Sequence, residues 1–413
     1  MLEYYHRCPE RRAAWERNVL APFLEEAAGR YRGWGYQYKY AQAGLRFMTG
    51  FGDWLQENRI PVDQVAEAQV QSFLDQFMPQ PHEAFVHKRI QVSAAVHFVL
   101  TLIREKHPLT LTQSLAQAET GKYAEHLRRN RGLAAGTIAH HRQCLEEFLT
   151  ACFGQGEVRL EEITAALVHA YVETIPRTPR NGKRRRVCST LRGYFRFLQL
   201  QGTPTEYLQT IIPLVPTSRA TLSPKVLTPP ELQLLLRSID RTRPTGKRDY
   251  AAVLCMIDLG MRVGDVARLS LDDIDWRAGT MAVANHKRGR PYRLPLPKRL
   301  GQALADYLAD GRPSSERREV FVRHAPPRGI TTTAAALKLA IRSAWKRAGL
   351  QDRFSGTHIL RHTAATRMKQ QGIALKSIAD VLGHHSLQTT ALYAQVDLPA
   401  LRRTAQSWPE GQQ

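Results

Sequence analysis

Acidic side chains are scarce in this 413-residue chain: 37 Asp and Glu stand against 59 Lys and Arg, which leaves a formal charge of +22. Such an imbalance attracts a polyanion, with nucleic acid the first candidate and membrane surface the second. Cysteine is thin as well. The five present (Cys8, Cys144, Cys152, Cys188, Cys255) are odd in number, scattered and without a Cys-x-x-Cys pair. That pattern argues against a disulfide framework and a zinc module, and fits a reducing cytoplasm. Long apolar runs are missing too: Ala251 to Met261 is interrupted by Asp258 and falls short of the roughly 18 residues needed to span a bilayer. The N-terminus carries Glu3 and no apolar segment, so it does not read as a signal peptide. What is present suffices to fold: 43% of the residues are apolar, and the length exceeds one hydrophobic core, so two or three domains are expected.

Proline marks the clearest boundary. Pro213, Pro216, Pro224, Pro229 and Pro230 break any helix and leave an extended, semi-rigid connection. It ends at Thr228-Pro229-Pro230-Glu231, where a capping Thr, Pro in the first turn and Glu three residues on predict a helix start. Upstream the pattern is helical, and apolar character returns at an offset of 98 residues: Phe47 with Leu145, Phe51 with Leu149, Leu55 with Phe153, Val62 with Leu160, Val65 with Ile163 and Phe73 with Tyr171. Two copies of one small helical module would give this, and so would the common spacing of amphipathic helices. Arg177, Arg180, Lys183, Arg184, Arg185 and Arg186 place six positive charges in ten residues, directly before the apolar-periodic Leu191, Tyr194, Phe195 and Phe197. Phosphate contact is the expectation for this tract, a solvated basic turn the plainer alternative.

The residues that suggest chemistry follow in order. Gly260-Met261-Arg262 comes after the apolar stretch around Ala251 to Ile257. Thr280 to Ala284 and Tyr292 to Leu296 read as two strands of a hairpin, with His286 to Pro291 as a basic tip. Then come His358-Ile359-Leu360-Arg361, Leu382-Gly383-His384 and, nine residues later, Tyr393. The i, i+3 spacing puts His358 and Arg361 on one helix face, while Leu360 points toward a core. Two planar guanidinium forks suit the non-bridging oxygens of a phosphate, and lysine does not replace that geometry. Taken singly, Tyr393 is an ordinary packing tyrosine. A metal site at His358, His384 and His385 lacks a carboxylate to complete it, and Asp272, Asp273 and Asp275 crowd one short loop, so no metal and no cofactor is expected.

In this order and spacing the set resembles the catalytic domain of tyrosine recombinases, over about the last 180 residues. The resemblance implies a multidomain chain, with all-α N-terminal DNA-binding domains and a mixed α+β catalytic domain. The expected division is residues 1–112 as an additional helical domain, 113–212 as a helical core-binding (SAM-like) domain, 213–227 as the Pro-rich linker, 228–402 as the catalytic domain and 403–413 as a tail. By the same resemblance Tyr393 is the nucleophile that forms a 3'-phosphotyrosyl bond. Arg262 and Arg361 hold the phosphate, His384 hydrogen-bonds it or orients the tyrosine, His358 acts as acid or base, and Asp265 supports the arginine or its surroundings. Lys287 protonates the leaving oxygen, although His286 and one added residue depart from the usual Gly-Lys-Gly hairpin. Arg288 and Arg290, with pKa above about 12, suit DNA contact better than proton donation. The implied partner is double-stranded DNA with paired recombination sites. The implied assembly is a tetramer on DNA and a monomer or dimer off it, with accessory proteins and a tail around Leu398 and Leu401 docking on a neighbour. The outcome would be integration, excision or transposition of a DNA element. A type IB topoisomerase and a catalytically idle DNA-binding accessory protein remain the alternatives.

Overall fold

The computed structural model describes residues 1–5, 8–77, 86–107, 115–154, 157–177, 182–203, 206–215, 225–283 and 292–383. The chain divides into two compact units, residues 108–221 and residues 1–107 together with 222–413. Within the second of these, residues 1–107 keep a hydrophobic cluster of their own.

That cluster is built by helices α1 (Leu2–Tyr5), α2 (Pro9–Glu16), α3 (Ala21–Gly33), α4 (Tyr38–Glu57), α5 (Glu67–Phe77) and α6 (Val86–Lys106). On α4, Ala41, Leu45, Met48, Phe51 and Leu55 recur every three or four residues, and all are buried, so one stripe of the helix faces inward. It meets Leu24, Ala27 and Tyr31 of α3 and Val92, Val96, Val99 and Ile103 of α6.

Residues 108–221 carry α7 (Leu115–Arg129), α8 (Ala135–Phe153), α9 (Ala165–Thr174), α10 (Gly182–Leu200) and α11 (Glu206–Ile211). Leu191, Tyr194, Phe195 and Phe197 are buried on α10, in keeping with their periodicity. Lys183 to Arg186 form the opening turn of that helix. Thr164 caps α9 by accepting from the Leu167 N–H.

From residue 225 onward, α12 (Pro229–Arg237) opens with the expected capping box: the Thr228 hydroxyl accepts from the Glu231 N–H, and the Glu231 carboxylate accepts from the Thr228 N–H. Helix α13 (Pro244–Asp258) is the spine of this region. Its residues Ala251 to Ile257 are buried on every side, packed against α15 (Lys298–Asp310), α16 (Ala334–Arg347) and α17 (His358–Gln370). Between α13 and α15 lie the short α14 (Val263–Ala267) and an antiparallel sheet, β1 (Ile274–Asp275), β2 (Thr280–Val283) and β3 (Tyr292–Pro295), in that order. Thr280 pairs with Pro295 and Val283 with Tyr292, so the predicted hairpin is present; its tip, with Lys287, Arg288 and Arg290, lies outside the described residues. Asp272 and Asp273 sit in a 3-10 turn in which Ser270 and Asp273 cap one another reciprocally. Helix α18 (Leu375–Leu382) ends at Gly383, in the left-handed conformation that glycine adopts without strain. All five cysteines are free, with Cys188 and Cys255 buried. No helix among the described residues is long and apolar enough to cross a membrane.

Candidate active site

The site begins where α13 stops. Gly260 has φ +66°, and a Cβ there would lie 2.4 Å from the Leu382 side chain, so both the turn and the close approach require glycine. The turn buries Met261 and delivers Arg262 as the residue that precedes α14. Arg262 is one-third exposed, and its Nη1 lies 4.0 Å from Asp265 Oδ2. Asp265 also accepts from Arg268 Nη2 at 3.0 Å, so this nearly buried carboxylate sits between two arginines and steadies both.

Helix α17 supplies the other half. His358 is its first residue and is exposed, whereas Arg361, one turn on, is 5% exposed. Leu360, fully buried, fixes the helix in the main core, as its place between them suggested. Arg361 Nη1 donates to the Gly260 carbonyl at 2.6 Å, and Nη2 donates to the Leu382 carbonyl. One buried guanidinium thus joins the Gly-Met-Arg turn, α17 and the end of α18, and these two bonds use two of its five N–H groups. His362 lies next to it, its ring 6.4 Å from that of His358. Burial, and then the neighbouring His358 and Arg361, lower the pKa of His362 from its ordinary value.

Arg262, Arg268, Lys338, His358 and Arg361 line one cleft of about 410 Å³, with Asp265 as the carboxylate among them. Four permanent cations against one acid make an anion site. The structure brings together four of the residues read from the sequence: Arg262, Asp265, His358 and Arg361. Lys287, His384 and Tyr393 lie outside the described residues. Three residues of the neighbourhood were missed. Arg268 was traceable as one helical turn beyond Asp265. His362 lay one turn beyond His358. Lys338 belongs to α16, an amphipathic helix with no motif to single it out.

The basic tract of α10 divides more finely than its sequence suggests. Arg185 and Arg186 are exposed. Arg184 is 6% exposed; it donates to the Ile175 carbonyl and pairs with Glu173, which Arg177 also contacts. Its charge is spent within the fold. Lys183 is exposed, with Glu147 at 3.5 Å, and Arg180 lies outside the described residues.

Two family profiles match the chain: the Phage integrase family over residues 225–398, and the N-terminal SAM-like domain of phage integrases over residues 121–202. A protein named as integrase/recombinase y4rA, from Sinorhizobium fredii, is 33% identical over 397 residues, which is 94% of each chain. Tyrosine recombinase XerC of Bacillus pumilus is 28% identical over 301 residues, 69% of this chain and 94% of its own. Among solved structures, XerH recombinase bound to a palindromic difH substrate matches with a TM-score of 0.54 at 20% identity, over 83% of this chain and 95% of that one. The Tn1549 transposon integrase matches with a TM-score of 0.52 at 15% identity, over 69% of this chain and 98% of that one. This chain belongs to the phage integrase family of tyrosine recombinases, enzymes that cut and rejoin DNA.

Proposed function

We propose that the chain recombines two double-stranded DNA sites through a covalent protein–DNA intermediate, with Tyr393 as nucleophile. The observation that carries this reading is the convergence of Arg262, Arg268, Lys338, His358 and Arg361 on one cleft. A scissile phosphate seated there has its non-bridging oxygens facing guanidinium groups, which stabilise the added negative charge of the pentavalent transition state. The Tyr393 phenolate attacks phosphorus, the 5'-oxygen departs with the electron pair, and Lys287 supplies its proton. A 3'-phosphotyrosyl bond remains. Attack by a 5'-hydroxyl then reverses the step on the same or an exchanged strand, so no nucleotide hydrolysis is needed. His384 hydrogen-bonds the phosphate, and Asp265 holds Arg262 in place.

Exchange between two duplexes requires four cuts, which four copies of a single-tyrosine site provide, so a tetramer on paired sites follows. Names among the similar proteins, Xer recombinases and a transposon integrase, agree with site-specific exchange of a DNA element. Exposed Arg185 and Arg186 at the start of α10 are the phosphate contacts we assign to residues 113–212.

The test is to stop reactions with SDS in cells that carry the chain or its Tyr393→Phe form, recover DNA bound to protein, and sequence the attached ends. Tyr393-dependent adducts at a few paired positions are expected. Scattered adducts would replace recombination by topoisomerase action, and their absence under conditions that show binding would leave a DNA-binding protein without strand cleavage.

A further inference from the structure

Helices α3 to α6 and α7 to α10 follow the same plan. In each, two helices are followed by a 3-10 turn, a short third helix and a longer fourth. The turns at Val62–Gln64 and Leu160–Glu162 and the starts of α5 and α9 are all displaced by 98 residues, the offset seen in the apolar pattern. The inward faces correspond as well. On the first helices, at an offset of 96, Leu24 matches Thr120 and Tyr31 matches Leu127. On the last, at an offset of 95, Val92, Val96, Val99 and Ile103 match Val187, Leu191, Tyr194 and Leu198, all buried. Two small changes in loop length account for the drift in offset.

An ion pair repeats with them. Arg89, in the first turn of α6, donates to Asp75 near the end of α5 at 2.6 Å. At the matching positions Arg184, in the first turn of α10, pairs with Glu173 near the end of α9. Amphipathic helices in general share apolar spacing; they do not share a cross-helix ion pair at corresponding positions.

The outward faces, in contrast, have diverged. Residues 20–106 hold 9 Lys and Arg against 9 Asp and Glu, whereas residues 116–201 hold 14 against 8. Where the second set exposes Arg185 and Arg186, the first has Ile90 and Gln91, with Ile90 60% exposed.

We infer that residues 20–106 are a second copy of the core-binding module that has kept its core and its ion pair and lost its phosphate-binding surface, so the ionic grip on DNA comes from the copy at 116–201. The contrast rests on the assignment of Arg185 and Arg186 to phosphate contact.

The experiment measures binding of the full chain to a short DNA duplex of arbitrary sequence across a range of salt. Replacing Arg185 and Arg186 by Gln should lower the slope of log K against log salt by about 1.8, from about 0.9 per lost phosphate contact. Replacing the exposed cations Lys39, Arg46, Lys88 and Arg104 by Gln should move it by less than about 0.3 on the same scale. An unmoved slope for the first variant would remove the phosphate assignment and the contrast with it. A slope lowered by both variants would keep the assignment and overturn the loss of function in the first copy. Equivalence of the copies is read separately from thermal melting. Asp75→Arg and Arg89→Asp should each lower Tm and together recover it, as Glu173→Arg and Arg184→Glu should. Recovery in the second copy alone would overturn the duplication.

Discussion

Replacing Arg361 by alanine should damage the fold and the chemistry together, and the first effect can be sized. The side chain is 5% exposed and donates to two backbone carbonyls, Gly260 and Leu382, from segments 122 residues apart in the chain. Without it both oxygens lose a charged donor, at a cost of about 1–3 kcal/mol each. Water entering the vacated space recovers part of that, so a loss of about 3 kcal/mol is reasonable. For a unit of this size, about 2–4 °C of Tm accompanies each kcal/mol, which gives a drop of about 6–12 °C. Arg361→Lys carries one nitrogen in place of the fork and should recover about half of this drop. Arg262 is the control: one-third exposed, with the Asp265 carboxylate 4.0 Å away, its alanine variant should cost below about 1 kcal/mol while abolishing cleavage as fully. Calorimetry of the full chain, paired with SDS-trapped adducts, separates the effects. An Arg361→Ala protein that melts within about 1 °C of the parent would refute the bridging role, whatever its activity.

Gly260→Ala puts a Cβ 2.4 Å from Leu382 at φ +66°, costs about 1–2 kcal/mol in backbone strain alone, and should reduce cleavage by shifting Arg262; Leu382→Ala in the same chain should restore part of it, as adduct yields would report. Lys338→Ala should slow cleavage about 10- to 100-fold with stability within about 0.5 kcal/mol of the parent, and Lys338→Arg should retain most of the rate, in single-turnover assays. His324 is half-buried, with its pKa lowered to about 4 by burial and then by Arg248 and Arg328. The unfolded chain takes up this proton near 6.5 and the folded chain only near 4, so stability falls as pH drops through that window, by about 1.5 kcal/mol after allowance for solvent screening. Denaturant titrations at several pH values should show this slope, and His324→Gln should flatten it.

Features legible in the sequence were those set by local chemistry or by a fixed motif. The Thr228–Glu231 capping box needs only four residues, and the buried face of α10 needs only a period. Arg262, Asp265, His358 and Arg361 were found because each sits in a short recognisable string. What escaped depends on residues distant in sequence. Nothing near Arg184 says that Glu173, eleven positions earlier, will take its charge and withdraw it from solvent. Lys338 reaches the cleft because α16 packs against α14 and α13, a matter of tertiary packing. Arg361 was read as a phosphate ligand, and its bonds to Gly260 and Leu382 had no sequence signal at all.

Those bonds give the arginine a second meaning. Helix α18 is short: Ile378 and Leu382 pack with Ala365 of α17, bordered by Met368 and Leu375, while Val381 rests on the main core. Single short helices can open locally at less than the global unfolding free energy. If α18 lifts, Arg361 loses the Leu382 carbonyl and with it one of the contacts that aim its fork. The arginine therefore acts as an interlock: its fork is held from both sides only while α18 is seated, so the docking of that helix and the aim of the guanidinium rise and fall together.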